Sequence, residues 1–441
     1  MSEHFALTAG VSKSRALARL VGYSLVGLLI FFVPFTIGGR STILLDHAAS
    51  ALQLHARPMV IGIALLFMLY GALQPWLSGS WRKDLTTTVF SVLKVIGLLI
   101  GVGYLFRVGP EAIYAPGMLP FLFDKLVLSL ALIVPLGALA LVFLIGFGLL
   151  ELIGVLMQPV MRPIWRTPGK SAIDAVASFV GSYSVGLLIT DRMYQQGHYS
   201  LREAAIIATG FSTVSAPFMV IIAKTLGLMD SWNLYFWSAM LVTFSVTAVS
   251  ARIYPLSKLP GADTPEPELA DGQGRIASAW HAGLRQASEA PALWVTLRET
   301  FVDGLRMTAA ILPSILAVGL LGLLAAQYTP IFDALGVLFY PLTWLLGAAE
   351  PMQAAGAIAS GLAEMFLPAM LLKDADVMIK FVVAIVSVSS VLFLSASIPC
   401  VLATRIPLRL RDLLLVWLQR TLLSLIFSIP LAYLAHSLNL L

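Results

Sequence analysis

The chain has 441 residues, of which 59% are hydrophobic and 12% are charged. A soluble domain carries about twice that share of charge, so the composition excludes an ordinary soluble protein and indicates an all-α polytopic membrane protein. The formal net charge is +5, but the basic residues cluster at the ends of apolar segments, which indicates membrane topology and argues against nucleic-acid binding. The single cysteine, Cys400, excludes an internal disulfide and a cysteine-ligated metal cluster.

Three apolar runs come first, at about 18–38, 58–78 and 86–106. Each is long enough to span a hydrocarbon core about 30 Å thick. Basic residues precede the first run, which is too long to be the apolar part of a cleaved signal peptide. We therefore expect residues 1–125 to form an N-terminal module of three transmembrane helices.

A first set of helices is expected over residues 126–253. The predicted elements are a helix at 126–153, a basic loop at 161–170, an apolar segment at 171–190, a proline-interrupted helix at 203–226 and a helix at 232–252. The polar stretch 254–304 follows as a cytoplasmic linker. Part of it is typical of an amphipathic helix on the membrane surface, and a mobile linker with one capping helix is an equally good interpretation. The apolar residues of that part are Trp280, Leu284, Leu293, Trp294, Leu297 and Phe301.

A second set of helices is expected over residues 305–441. The predicted elements are helices at 305–327 and 331–347, a segment at 353–372, an interrupted helix at 378–402, a basic loop at 405–411 and a helix at 413–437. An offset of 182 residues connects this set with the first one. It matches the run from Phe211 to Pro217 with the run from Phe393 to Pro399, and it also pairs glycines, prolines and serines without a gap. We interpret the two sets as copies of one unit.

Charge predicts that the two copies are inverted in the membrane. The loops 161–170 and 405–411 are basic, whereas their counterparts 343–352 and 223–229 hold a single lysine between them. Because basic loops favour the cytoplasmic side, this is the pattern of inverted-topology repeats. The N-terminus and the linker should then be cytoplasmic, and the C-terminus periplasmic or extracellular.

The inversion also limits how many segments cross the membrane. An odd number of crossings must separate an inside loop from the following outside loop, so one segment of each copy should not cross. We expect 171–190 and 353–372 to be re-entrant hairpins, since both are rich in small and polar residues. Full spanning is the alternative that the sequence leaves open.

The two interrupted helices contain Pro217 and Pro399, which cannot donate a backbone hydrogen bond and free carbonyl groups that need partners in lipid. Hydroxyl groups lie just upstream or beside them, at Thr213, Ser215, Ser395 and Ser397. One interpretation is a kinked helix repaired by its own hydroxyls. The duplication favours the other, a mid-membrane site rich in oxygen atoms that binds a sodium ion or a small polar solute.

Glu364 is an acidic residue inside the apolar segment 353–372. A carboxyl group near the bilayer centre is costly and marks a functional site by default; the alternative is a hairpin tip at the water interface. Its counterpart in the first copy, Ser182, stands beside Tyr183. We therefore expect an asymmetric site, with Glu364 as its proton- or amine-sensitive carboxylate and Ser182 and Tyr183 on the facing hairpin.

Other charged residues are given structural interpretations. Asp174 follows Lys170 by four residues and is expected to pair with it. Glu151 lies at a predicted helix end, where we favour a structural role. Asp191 and Arg192 mark a hinge, and we favour surface solvation there over a gating salt bridge.

Motifs of enzymes are missing from the sequence. It contains no phosphate-binding Gly-x-x-x-x-Gly-Lys-Ser/Thr loop, no His-Glu-x-x-His and no Gly-x-Ser-x-Gly. We therefore expect neither an ATPase nor another enzyme, and no cofactor or metal other than a coupling Na⁺ or H⁺.

Two runs carry a resemblance to a known family, Val180–Thr190 (VGSYSVGLLIT) and Glu203–Ser215 (EAAIIATGFSTVS). They resemble the YjiH family of bacterial inner-membrane proteins, which carry nucleoside-recognition (Gate) domains. The resemblance implies a membrane protein that moves a small solute, with hairpins and broken helices meeting at mid-membrane. It also implies that Glu364 takes the part of a hairpin glutamate that contacts nucleobase and ribose in the similar nucleoside transporters, whereas Ser182 and Tyr183 depart from a second acidic motif.

Our functional hypothesis is a secondary transporter in the bacterial inner membrane. Its solute would be nucleoside-like or amino-acid- or dipeptide-like, coupled to Na⁺ or H⁺ by alternating access. A homo-oligomer is left open. The alternative is a non-transporting membrane scaffold, or a partner subunit of a larger assembly.

Overall fold

The computed structural model describes residues 13–37, 40–82, 85–115, 117–180, 183–214, 216–261 and 274–441. Within these residues the protein is an all-α polytopic membrane protein with one short pair of antiparallel strands. Six helical segments of this described part are long and apolar enough to cross a membrane: Arg57–Leu77, Thr87–Phe106, Phe121–Leu144, Trp232–Ser250, Leu293–Tyr328 and Leu410–Ser437.

The N-terminal module starts with a shorter helix than predicted. Its elements are α1 (Lys13–Ala18), a π-helical turn (Arg19–Tyr23), α2 (Ser24–Phe32), β1 (Pro34–Ile37), β2 (Arg40–Ile43), α3 (Leu44–His55), α4 (Arg57–Leu77) and α5 (Leu85–Phe106). The predicted span 18–38 is wrong at its end, because Pro34 disfavours helix at the residue before it. The β-branched and aromatic residues that follow pair as a hairpin instead. The helices predicted at 58–78 and 86–106 are confirmed.

The first copy has one more break than predicted. Its elements are a π-helical turn (Phe121–Val127), α6 (Leu128–Ile145), α7 (Leu149–Trp165), α8 (Ser171–Val180), α9 (Tyr183–Gln195), α10 (Leu201–Gly210), α11 (Ala216–Leu226) and α12 (Trp232–Ser250). The single helix predicted over 126–153 is wrong, because Gly148 has a φ of 97° and separates α6 from α7. The basic loop is also shorter than 161–170, since α7 continues to Trp165. The interruption of 203–226 is confirmed between α10 and α11.

The linker between the copies contains a helix. Its described elements are a 3₁₀ turn (Leu256–Lys258) and α13 (Arg275–Glu289). α13 packs against α7 and α1, and Ala287 shares a small apolar cluster with Ala16 and Leu20. A helix is therefore present at 275–289, and its place on the membrane surface stays a prediction. The predicted apolar residues from Leu293 onward belong to the next helix.

The second copy is built from shorter pieces than predicted. Its elements are α14 (Leu293–Tyr328), α15 (Ile331–Gly336), α16 (Tyr340–Leu345), α17 (Pro351–Ala359), a 3₁₀ turn (Ser360–Leu362), α18 (Leu367–Leu371), α19 (Val377–Ser389), α20 (Ser397–Ala403) and α21 (Leu410–Ser437). The prediction of a helix starting near 305 is wrong, because the polar residues before it are helical as well. The segment predicted as a helix at 331–347 is two short helices. The interruption of 378–402 is confirmed between α19 and α20.

The order of the elements follows the duplication. Shifted by 182 residues, α8 to α12 overlap α17 to α21 in the same order. α8 packs against α9, and α17 packs against α18, so each copy contains a helical hairpin before its interrupted helix. The opposite orientation of the copies stays a prediction, as does the division of the chain at 125, 253 and 304.

α14 joins the N-terminal module to the second copy, because it packs against α4, α5, α6 and α20. Two glycines permit backbone contact along this helix. A Cβ atom at Gly71 would collide with the carbonyl group of Ala309, and one at Gly97 would collide with that of Pro313. Small residues allow membrane helices to approach this closely, so α4 and α5 pack on α14 through close backbone contact.

Gly97→Ala should therefore lower the melting temperature of the purified protein in detergent. The added methyl group meets the Pro313 carbonyl, and overpacking of this kind costs about 1–3 kcal/mol. Gly62→Ala in α4 is the matched control, since nothing lies within 4 Å of its added Cβ and alanine favours helix. Equal melting temperatures for the two variants would contradict close packing of α5 on α14.

Candidate functional site

Glu364 lies at the turn between the two helical parts of the second hairpin, and its side chain is 4% exposed. The Ser395 hydroxyl donates a hydrogen bond to Glu364 Oε2. The backbone N–H groups of Met365 and Phe366 are near neighbours of the same carboxylate. Neutral donors therefore hold the Glu364 carboxylate, and it forms no ion pair with the described residues.

Backbone hydrogen bonds join this hairpin tip to the break between α19 and α20. The N–H group of Leu394 donates to the carbonyl oxygen of Leu362 at 2.6 Å, and that of Ser395 donates to Ala363 at 2.9 Å. These bonds satisfy backbone groups that the break would otherwise leave without partners in the membrane. The tip and the break therefore form one bonded junction.

The two predicted serines of this break have different roles. Ser397 Oγ accepts a hydrogen bond from the Phe393 N–H group at 2.8 Å, so this hydroxyl repairs its own helix. Ser395 contacts the carboxylate of Glu364 instead. The repaired-helix interpretation thus holds for Ser397, and the binding-site interpretation gains support at Ser395.

Tyr183, the first residue of α9, connects the first copy to this cluster. Its ring packs edge-on against Phe393, with 5.9 Å between ring centroids. Its hydroxyl faces the Cys400 thiol, a weak partner, and has Glu364 as a charged neighbour. That hydroxyl is buried and has no hydrogen bond of ordinary geometry to any described residue. A phenol of this kind beside a carboxylate is suited to binding a polar ligand.

The predicted residues of the first break are only partly described. Thr213 is buried, and its N–H group donates to the Phe211 carbonyl at 2.7 Å. Its described hydrogen bond stays within its own break, so the structure does not join it to the Glu364 cluster. Ser182, Ser215 and the side chain of Pro217 lie outside what the structure describes.

Arg420, near the middle of α21, is the largest side chain that is fully buried in the described chain. Its Nε and Nη2 atoms donate to the carbonyl oxygen of Ser389 at 3.1 and 2.8 Å. Its Nη1 atom donates to Thr247 Oγ1 at 3.0 Å, and that hydroxyl shares its proton between two acceptors, the carbonyl oxygens of Thr243 at 2.7 Å and of Gly210 at 3.0 Å. Gly210 and Ser389 are the last residues of α10 and α19. One guanidinium therefore connects the C-terminal ends of both interrupted helices.

The electrostatics of this arrangement explain how a cation can lie there. Each helix C-terminus carries about half a negative charge, so two such ends offset the charge of one guanidinium. No carboxylate pairs with Arg420 among the residues that the structure describes. Arg420 is not among the site residues predicted from the sequence, although an arginine inside a predicted spanning helix gives the same signal as Glu364.

The predicted pair between Asp174 and Lys170 is wrong. Lys170 lies before the first residue of α8, so the helical spacing that brings positions four apart together does not apply. Its Nζ atom instead contacts Glu151 at 2.9 Å, which gives Glu151 the expected structural role. The Asp174 carboxylate is buried and accepts hydrogen bonds from Thr190 and Tyr199, each at 2.7 Å.

The preferred interpretation of Asp191 and Arg192 as solvated residues is also wrong. Asp191 is buried and accepts a hydrogen bond from the backbone N–H group of Arg405 at 2.8 Å. Arg192 contacts Asp303 at 2.5 Å and Glu299 at 3.6 Å, both in α14. Two adjacent residues thus connect the end of α9 with α14 and with the loop before α21, which favours the salt-bridge interpretation.

Arg420→Met should destabilise both breaks together. The change leaves buried carbonyl and hydroxyl groups without a donor, at a cost of about 1–3 kcal/mol for each group. Hydrogen exchange measured by mass spectrometry should rise in peptides covering 207–214 and in peptides covering 386–397. The control is Arg285→Met, because the Arg285 side chain is 77% exposed on α13. Faster exchange in only one of the two breaks would contradict the connection through Arg420.

Comparisons with known proteins find a family profile, two related sequences and one solved structure. A sequence profile of the family described as Gate, nucleoside recognition, matches residues 127–229. Sporulation integral membrane protein YlbJ of Bacillus subtilis (strain 168) is 33% identical over 91 residues, which is 21% of this chain and 22% of that protein. A solved structure of a CNTnw variant in an outward-facing state has 16% identity and a TM-score of 0.48, and it covers 96% of this chain and 98% of its own.

An uncharacterized protein of Alkalihalophilus pseudofirmus is similar over most of its length. It is 33% identical over 432 residues, and the match covers 91% of this chain and 91% of that protein. Identity at this level over nearly the whole of both proteins shows common descent. The chain belongs to the same family as the Alkalihalophilus protein, and its first copy carries the nucleoside-recognition segment.

Proposed function

We propose that the protein is a secondary active transporter of a small polar organic solute, nucleoside-like or amino-acid- or dipeptide-like, that works by alternating access. The observation that carries the proposal is the buried hydrogen bond between Ser395 and Glu364. It lies where a hairpin tip meets a broken helix, and broken helices are where transporters built from repeats bind solutes and ions. The match of residues 127–229 to a nucleoside-recognition family supports a solute of this class.

The cluster is closed in this conformation, since Glu364, Ser395 and Cys400 are all buried. A solute hydroxyl or amide would replace Ser395 as the donor to the Glu364 carboxylate. The phenol of Tyr183, which lacks a strong partner, would supply a second contact from the first copy. Binding would therefore join the two copies through the solute.

Access to the cluster requires α20 to move. Cys400 lies in the cluster, whereas Pro399 and Leu402 of the same helix line a cavity of about 720 Å³. The bonds of Asp191 and Arg192 to the loop before α21 and to α14 lie near the same helix, and would break as α20 separates from α9. In the proposed transport cycle, these bonds form the gate that must open before the solute can pass.

Coupling and orientation complete the proposal. The coupling ion is Na⁺ or H⁺, and Glu364 is the group whose charge responds to it. The protein lies in the bacterial inner membrane with a cytoplasmic N-terminus and a periplasmic or extracellular C-terminus, and it is not an enzyme. We place it more narrowly in the YjiH family on the two runs given above.

Uptake into proteoliposomes under an imposed Na⁺ or pH gradient should fall in Glu364→Gln. A hydrogen bond to a charged group contributes about 1.5–3 kcal/mol, so the expected loss is about tenfold or more. The solutes are those members of a nucleoside, amino-acid and dipeptide panel that stabilise the purified protein against heat. Glu350→Gln is the matched control, because Glu350 is exposed at the start of the same hairpin. Uptake at the wild-type rate in Glu364→Gln would remove the carboxylate from the mechanism.

The second candidate function is a non-transporting scaffold or partner subunit. The similarity of 91 residues to a sporulation integral membrane protein favours it. Copurification with a stoichiometric membrane partner, together with no thermal stabilisation by any member of the panel, would support this function over transport.

A further inference from the structure

The cavity beside α20 has a polar character that the Glu364 cluster does not explain. It lies between the N-terminal module and the second copy, with walls from α4, α5, α14, α20 and the start of α21. Its volume of about 720 Å³ is in the range of sites for small organic molecules. The cavity is therefore large enough to hold a ligand of its own.

Lys94 is the most unusual residue of its wall. It lies nine residues after the start of α5, which places it about 13 Å along the helix. A cation within a spanning helix is costly and needs a partner, but the Lys94 ammonium group forms no hydrogen bond or ion pair with the described residues. Because Lys94 lines the cavity, we expect the partner of its charge to lie there.

Neighbouring carboxylates do not supply that partner. Lys94 also borders an adjoining cavity of about 270 Å³, which Asp191 and Asp303 line. Asp303 is paired with Arg192, and among the described residues neither Asp303 nor Asp191 forms an ion pair with Lys94. The Lys94 charge is therefore left for another anion.

The charged groups that line the larger cavity all have one sign. Lys94, Arg409 and Arg411 line it, and no aspartate or glutamate is found among its described lining residues. Arg411 is paired with Asp412 at 3.5 Å, which leaves the charges of Lys94 and Arg409. The side-chain amide of Gln74 adds neutral donors to the same wall.

We propose that this cavity binds the phosphate group of an organic phosphate, with Lys94 and Arg409 as its cationic contacts. A phosphate monoester carries a charge of about −1.5 to −2 at neutral pH, which two cations can balance, and lysine and arginine are the usual phosphate ligands. The head group of an acidic phospholipid such as phosphatidylglycerol presents the same phosphate oxygens, as a diester with one negative charge. The inference does not depend on the proposed transport function, because Glu364, Ser395 and Tyr183 do not line this cavity.

Two measurements on the full chain test the site and separate its two sources. Melting temperatures in phosphatidylcholine nanodiscs are recorded against inorganic phosphate and against sodium chloride of equal ionic strength. Native mass spectrometry then counts the phosphatidylglycerol that the protein retains from a mixture with phosphatidylcholine. Lys94→Met and Arg409→Gln are the cavity variants. Lys224→Met is the control, because Lys224 is exposed at the end of α11, outside this cavity.

A soluble phosphate ester is supported if phosphate raises the melting temperature more than chloride does. Either cavity variant should then weaken the affinity for phosphate about tenfold, and the control variant should keep it. Selective retention of phosphatidylglycerol with the same dependence on the variants supports a lipid head group. No effect of either kind in the wild type, or effects that both cavity variants keep, would overturn the proposal. Arg409→Gln changes an exposed loop residue, so it keeps the test decisive if Lys94→Met does not fold.

Discussion

A backbone polar group inside a bilayer must find a partner within the protein, and the two broken helices of this chain make that requirement acute. Each break frees carbonyl groups that a continuous helix would have used. In the second copy, two sets of hydrogen bonds supply these partners. The hairpin tip accepts hydrogen bonds from the backbone of Leu394 and Ser395 in the break. Arg420 donates to the carbonyl group at the end of α19. The arrangement of the remaining helices follows from keeping these partners in place.

The same constraint explains why the two copies cannot be considered separately. Thr247 of α12 accepts a hydrogen bond from Arg420, and its hydroxyl contacts the Gly210 carbonyl at the end of α10. Tyr183 of the first copy reaches the carboxylate cluster of the second. Arg192 also joins the end of α9 to α14 through its ion pair with Asp303. A movement that opens one break therefore changes the bonding of the other.

Much of the fold could be predicted from the sequence, because long apolar runs and prolines within them have few structural outcomes. The interruptions before Pro217 and Pro399 are examples. Local exceptions were harder. Gly148 separates α6 from α7 through its left-handed backbone geometry. The first turns of α14 are helical because tertiary ion pairs such as Arg192 with Asp303 stabilise them.

The candidate site was predictable only where one residue carried the signal. Glu364 was predicted because it is a charged residue within an apolar segment. Arg420 and Lys94 could have been predicted on the same ground. What the sequence could not reveal is which groups each charge meets. Ser395 and Ser397 are two residues apart and chemically alike, yet one bonds the carboxylate and the other bonds its own backbone. The duplication also carries a consequence through Arg420, whose counterpart at the 182-residue offset is Ser238. A half-length chain forming a symmetric dimer would place two arginines where this chain places one, and the dipoles of two helix ends could not neutralise both. The difference between positions 420 and 238 therefore leaves one cation to serve two breaks.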